Sequence, residues 1–156
     1  MTRWLDNRWL SIIIRIFLGA VFIYSAWPKL TDPPGFAQVV WNYRILPSQG
    51  INVAALVLPW LELVAGVALI SGAFRRGAAL LVILMLMVFI TALALNVFRD
   101  MPVDCGCFSL SSTGKSHDDL MSAMKSDIVR DCVLLLLALQ ALYASVTWQD
   151  PASKMR

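Results

Sequence analysis

Four long apolar runs dominate this sequence, and the third contains no charged residue from Gly77 to Phe98. A helix of about 20 apolar residues crosses the hydrocarbon core of a bilayer. The runs predict membrane spans at about 9–27, 51–72, 77–98 and 127–148. The chain is also 59% hydrophobic and 15% charged, against about 45–50% and about 25% in a soluble domain. We therefore expect an all-α membrane protein, with residues 1–156 forming a single four-transmembrane-helix bundle.

The distribution of basic residues predicts which way the bundle faces. Four spans place both termini and the loop around Arg75 and Arg76 on the same side of the membrane, and these short segments are dense in Lys and Arg. The longer loops hold most of the acidic residues. The positive-inside rule then predicts cytoplasmic termini in a bacterial inner membrane. The net charge of +3, without any basic run, gives no reason to expect a nucleic-acid partner.

The first outer loop contains a helical pattern of its own. After Pro33, Pro34 and Gly35, apolar residues recur at helical spacing; they are Phe36, Val39, Val40 and Tyr43. The pattern predicts a short amphipathic helix lying in the membrane interface, with Trp41 and Tyr43 as aromatic anchors. Such a helix would serve either as an anchor or as a lid over the outer mouth of the bundle.

The second outer loop carries the motif "DCGCFS", with Cys105 and Cys107 one glycine apart. A disulfide between them would close a small, strained ring, which Gly106 makes accessible because glycine adopts positive φ. Strained, exposed disulfides are the ones that exchange readily. On the predicted periplasmic side, where bacterial thiols are kept oxidised, the pair favours a redox role. The opposite topology would place it in reducing cytosol and favour metal binding.

Two other readings of the cysteine pair stay open: the pair binds a metal, or it is incidental. Closely spaced thiolates suit a soft metal ion, with Cys132 or His117 as a further ligand, although zinc sites usually show the wider Cys-x-x-Cys spacing. We expect no metal. A lone cysteine in an apolar helix is usually a small hydrophobe, so Cys132 is interpreted first as a packing residue.

Ionisable residues inside the spans are further candidates, because charges in hydrocarbon are costly and mark function. Glu62 lies near the middle of the second span, three residues after the helix-kinking Pro59. Arg15 in the first span is a possible partner for it. Lys29, Arg130 and Asp131 form an outer charged tier. An ion pair that only fixes helix register and a proton or ligand site are both consistent with this pattern.

Four segments in order resemble the MauE branch of the DoxX-like membrane proteins: "RIFLGAVFIYSAWPKLTDPPGF", "LPWLELVAGVALISG", "CGCF" and "DIVRD". The resemblance implies a four-helix membrane protein linked to maturation of a disulfide-rich methylamine dehydrogenase subunit, alongside a thioredoxin-like partner. It carries over these positions: Arg15, Lys29, Glu62, Cys105, Cys107 and Arg130. The family usually continues Cys-Gly-Cys-Phe with glycine, whereas this chain has Ser109.

The architecture is also similar to the quinone-linked disulfide generators of the DsbB and vitamin K epoxide reductase types, an analogy of layout only. It suggests an inner-membrane thiol–disulfide oxidoreductase that exchanges electrons between periplasmic protein thiols and a membrane quinone. Trp60, Trp27 and Trp41 are candidates to stack on the quinone ring, with Arg130 or Lys29 near its oxygens. The alternatives are a soft-metal-binding or transport protein, and a non-catalytic assembly factor. The direction of electron flow stays open.

Overall fold

The computed structural model describes residues 8–72, 74–101, 103 and 116–147, and this part of the chain is helical, without strands. The helices are α1 (Arg8–Thr31), α2 (Pro33–Asn42), α3 (Ser48–Ser71), α4 (Arg75–Phe98) and α5 (His117–Thr147). The all-α fold class is confirmed. Cys105 and Cys107 lie outside the described residues.

The four long helices form the bundle. They form a closed ring in which α1 packs on α3, α3 on α4, α4 on α5, and α5 on α1. Each is long and apolar enough to cross a membrane. The core is filled by small and medium side chains such as Leu18, Ala65, Val82 and Ala138, while many large apolar side chains lie on the outer surface, as expected where lipid is the solvent.

Two glycines set the register between α1 and α3. A Cβ added at Gly19 would lie 2.6 Å from the carbonyl oxygen of Gly66, and one added at Gly66 would lie 2.8 Å from that of Gly19. Small residues let membrane helices approach closely and gain packing contacts. The Gly19–Gly66 contact therefore marks the point where α1 and α3 cross most closely.

We call the end of the bundle at which α1 stops at Thr31 and α4 at Phe98 the Thr31 end. Here α1 runs beyond the predicted span, straight through Pro28. Proline removes one N–H donor, but the last turn is completed by Asp32 N–H donating to the Pro28 carbonyl at 3.1 Å and by the Thr31 hydroxyl donating to the Trp27 and Pro28 carbonyls.

The short helix predicted in the first outer loop is present as α2. The Asp32 carboxylate caps it by accepting a hydrogen bond from the Gly35 N–H at 3.0 Å, and Pro33 and Pro34 occupy the first turn, where missing N–H groups cost nothing. Phe36 and Val39 are buried against α3. Helix α2 therefore covers the Thr31 end of the bundle from the side.

Helix α5 begins at His117, ten residues before the predicted span at 127. Its start is fixed by a reciprocal cap in which Ser116 Oγ accepts from the Asp119 N–H at 3.2 Å and donates to Asp119 Oδ2 at 2.8 Å. The 31 residues make a helix about 46 Å long, longer than the hydrocarbon core of about 30 Å. The His117 Nε2 also comes within 3.9 Å of Asp100 Oδ1, just after α4.

We expect Ser116→Ala to fray the first turn of α5, because loss of a side-chain cap costs about 0.5–2 kcal/mol. Amide hydrogen exchange at Asp119 and Leu120 should accelerate, and the effect should be confined to this turn. Ser122→Ala is the matched control, since the Ser122 hydroxyl only donates to the Asp119 carbonyl within the helix. Equal acceleration in both variants would contradict the cap.

Candidate functional site

The centre of the site is a buried ion pair between α1 and α3. The Lys29 ammonium donates to both oxygens of Glu62, at 2.6 and 2.8 Å, and to Ser25 Oγ at 3.1 Å. The Lys29 side chain is 0% exposed and that of Glu62 2%. Because both charged groups are removed from bulk water, each depends on the other and on neighbouring protein groups to offset the cost of burial.

Two aromatic rings enclose the ammonium group. The Lys29 Nζ lies 5.2 Å from the ring centroids of both Phe36 and Phe89, which is within cation–π range. Phe36 comes from α2 and Phe89 from α4. With Ser25 on α1 and Glu62 on α3, four helices therefore meet at this one cation.

A second charged group lies beside the pair on α5. Arg130 donates to Asp127 Oδ1 at 2.7 Å and through Nε and Nη2 to Asp131 Oδ1 at 3.1 and 3.0 Å. Asp131 is 4% exposed, and it lines the same small space in the bundle as Glu62. All five helices thus contribute to one buried polar cluster inside an apolar bundle.

Two cavities adjoin this cluster and share Phe89 as a wall. The smaller, about 30 Å³, is lined by the polar side chains Ser25, Glu62, Arg130 and Asp131 together with apolar ones. The larger, about 160 Å³, lies between α2, α3 and α4 and has an almost wholly apolar lining; it is formed by Phe36, Val39, Val40, Tyr43, Ile45, Leu46, Leu58, Val88, Phe89 and Ala92.

The chain that leads to the cysteine pair is anchored close to the larger cavity. Val103, two residues before Cys105 in the sequence, is buried with Leu93 and Met124, and its N–H donates to Met124 Sδ at 3.3 Å. Tyr43 packs against this Leu93–Val103–Met124 cluster and also lines the apolar cavity. One side chain therefore links the anchor of the cysteine segment to the cavity.

The structure pairs Glu62 with Lys29 and not with Arg15. Because Gly19 faces Gly66, Arg15 lies level with the far end of α3, where its Nη1 is near Gly72 and its Nε donates to the Ser11 carbonyl at 3.3 Å. Glu62 lies ten residues before Gly72, nearly three turns away along α3. The Arg15–Glu62 pair that the sequence made possible is therefore not formed, and Lys29 belongs to the buried pair and not to an outer tier.

The tryptophans predicted to stack on a ring lie on the outer surface. Trp60 is 55% exposed, and Trp27 and Trp41 are also exposed. Cys132 is exposed on α5, so its thiol lies outside the bundle core. Arg130 and Asp131, by contrast, lie in the cluster with Glu62 and Lys29.

Metal ligands do not converge in the part of the chain that the structure describes. There, no group of three or more His, Cys, Asp or Glu side chains is arranged to hold an ion. His117 and Cys132 lie on the same helix, about 22 Å apart along its axis, so they cannot complete one site together. Cys105 and Cys107 lie outside the described residues.

Four residues of the site are absent from the site predicted from the sequence: Ser25, Phe36, Phe89 and Asp127. Phe36 was assigned to the short helix, and Ser25 and Phe89 read as ordinary residues of apolar spans. One signal for Ser25 was available, since it lies one helical turn before Lys29. Phe89 carries no such signal, because only the packing of α4 brings it to Lys29.

Comparison with known proteins identifies a protein family that this chain matches. A family model described as methylamine utilisation protein MauE matches residues 7–144. Curated proteins named methylamine utilization protein MauE are similar to this chain. The one from Paracoccus denitrificans is 42% identical over 96 residues, covering 61% of this chain and 52% of that protein. The one from Methylophilus methylotrophus is 34% identical over 122 residues, covering 75% and 64%.

A third such protein, from Methylorubrum extorquens, is 38% identical over 99 residues, covering 63% of this chain and 53% of that protein. The chain thus spans between about half and two thirds of the length of these relatives. No solved structure matches it.

Proposed function

Because the chain belongs to the MauE family, a family of multi-pass bacterial membrane proteins, we propose that it is a thiol–disulfide oxidoreductase serving methylamine utilisation. Cys105 and Cys107 would exchange electrons with thiols of a periplasmic protein, either a thioredoxin-like partner or the substrate itself. A membrane quinone would be the final acceptor. The proposed reaction requires the orientation predicted from the sequence, with both termini in the cytoplasm and the cysteines outside, in an oxidising compartment.

The chemistry proceeds in two balanced steps. A partner thiolate attacks the Cys105–Cys107 disulfide, one cysteine forms a mixed disulfide, and the other is released as a thiol. The second partner thiol then closes the partner's disulfide and leaves a dithiol in this protein. A quinone bound beside Phe36 and Phe89 would supply the oxidant for the return step. It would take two electrons and two protons from the dithiol, which would restore the Cys105–Cys107 disulfide and leave a quinol.

The observation that carries this proposal is the apolar cavity of about 160 Å³ beside the anchor of the cysteine segment. An apolar protein cavity of about 150 Å³ binds benzene, so this cavity has room for a single six-membered ring such as that of a quinone. Tyr43 joins the cavity to the cluster of Val103, the last described residue before the pair. Phe36 and Phe89 offer ring faces, with the Lys29 ammonium near both centroids. We therefore propose Phe36 and Phe89 as the rings that stack on the quinone, in place of the three exposed tryptophans.

We expect a single change, Cys105→Ser or Cys107→Ser, to trap a covalent complex between this protein and its partner. The remaining thiolate can still attack the disulfide of an oxidised partner, the reverse of the exchange above, and the mixed disulfide that forms then has no second cysteine in this protein to displace the partner. The double change should abolish the complex. The measurement is non-reducing electrophoresis of membranes from cells that express the partner, with and without quinone; quinone depletion should accumulate the dithiol form in the unmodified protein.

Cys132→Ser is the matched control, because its thiol lies on the exposed face of α5, and trapping should persist in that background. A soft-metal protein would behave differently. It would carry bound metal that is lost with either cysteine, and no variant would form a mixed disulfide. A non-catalytic assembly factor would tolerate loss of both cysteines.

A further inference from the structure

The cavity between Glu62 and Asp131 has the size and lining of a water site. Its volume is about 30 Å³, and its polar lining is formed by Ser25, Glu62, Arg130 and Asp131. A buried water needs roughly 10–15 Å³ of such space and two to four polar partners. One or two water molecules therefore fit, with a carboxylate on each side.

The hydrogen bonds around the cavity leave acceptor capacity for water. Both bonds from Arg130 to Asp131 end on Oδ1, and an ionised carboxylate accepts at about four lone-pair positions. Glu62 receives the Lys29 ammonium once on each oxygen. Each carboxylate can thus accept further hydrogen bonds from the cavity side.

The charges of the cluster do not balance. From α1 comes Lys29, from α3 Glu62, and from α5 Arg130 with Asp127 and Asp131, while α2 and α4 contribute the rings of Phe36 and Phe89. Among these described groups, Arg130 and Asp127 are partly exposed, at 29% and 21%, whereas Lys29, Glu62 and Asp131 are buried. One buried cation therefore faces two buried carboxylates. Negative charge that is not fully compensated is costly away from bulk water, and binding one proton between the two carboxylates reduces it.

We propose that this cavity holds water and one exchangeable proton between Glu62 and Asp131, and that it passes protons during the redox reaction. The transfer role rests on the proposed function, in which thiol oxidation releases two protons and quinone reduction takes up two. Phe89 is the wall common to this cavity and the apolar one. A proton held here is therefore separated from the quinone ring by a single side chain.

Infrared spectroscopy of the full chain in lipid nanodiscs tests occupancy without any turnover. The unmodified protein should show an internal-water O–H band that shifts in H₂¹⁸O, and a protonated carboxyl band that shifts in D₂O. Asp131→Asn should lose both. Asp127→Asn changes the net charge equally but does not alter the cavity lining, so it should keep the water band. A dry cavity in the unmodified protein overturns the proposal.

The transfer role is tested by the rate at which the reduced protein gives electrons to a soluble short-chain quinone. Asp131→Asn should slow this step by about 100-fold, the usual contribution of a positioned proton donor or acceptor. Val21→Ile fills the cavity from an apolar wall without touching a charge, and should also slow it. Unchanged rates in Val21→Ile overturn the relay. Absence of electron transfer in the unmodified protein would instead refute the oxidoreductase, while the infrared bands still decide the proton site.

Discussion

Replacing Lys29 by methionine should lower the free energy of unfolding of the bundle by about 3–5 kcal/mol, the usual cost of stranding one partner of a buried ion pair. The Glu62 carboxylate, 2% exposed, would keep no cation within hydrogen-bonding distance and would face the Asp131 carboxylate. Unfolding in mixed detergent micelles measures the loss. Lys125→Met is the control, because Lys125 lies on the exposed face of α5 and such a change stays within about 0.5 kcal/mol.

The double variant Lys29→Met with Glu62→Met should recover most of that stability. Exchanging a whole buried pair for apolar side chains is often neutral or stabilising by about 1–4 kcal/mol. Recovery would mean that the pair is retained for function and not for folding. A double variant as unstable as the single one would show that Lys29 stabilises the bundle through its packing with Phe36 and Phe89.

The second large effect is expected where α1 and α3 cross. Gly66→Ala should destabilise the bundle by about 1–3 kcal/mol, as overpacking does, because the new methyl group would meet the Gly19 carbonyl oxygen at 2.8 Å. Backbone atoms at this point cannot rotate away as a flexible side chain would, so the two helices have to separate.

Gly77→Ala is the matched control inside α4. There the nearest atom to an added Cβ is Phe74 Cβ at 4.0 Å, and alanine gains up to about 1 kcal/mol of helix propensity over glycine. The same substitution is therefore expected to have opposite signs at the two sites. Thermal unfolding in micelles should resolve them, and equal shifts would contradict the assigned crossing point.

The presence and type of the helices could be predicted from the sequence, whereas the partner of Glu62 could not. Apolar runs and the Pro-Pro-Gly start of α2 are local signals. Whether Arg15 or Lys29 meets Glu62 depends on the register of two antiparallel helices, which the Gly19–Gly66 contact sets. The start of α5 was predictable in principle, since Ser116 and Asp119 have capping-box spacing.

Which side chains of the membrane helices face the core of the bundle was harder to predict from the sequence. In water an aromatic side chain is expected inside, but in a bilayer both the core and the surroundings are apolar. Trp60 and Phe89 are therefore equally acceptable residues for an apolar helix, although one lies on the outer surface and the other against Lys29. Polar side chains are more informative, which is why Glu62, Lys29 and Arg130 were identified and the rings around them were not.

The two ends of the cysteine segment are held close together by the bundle. Asp100 and His117 approach within 3.9 Å, Val103 is bound to Met124, and Ser116 is tied to Asp119. Closure entropy grows by only about 0.6 kcal/mol for each doubling of a connection's length. We therefore expect changes of length between Val103 and Ser116 to cost the membrane scaffold little stability, because contacts of the bundle itself fix the two positions that the connection joins.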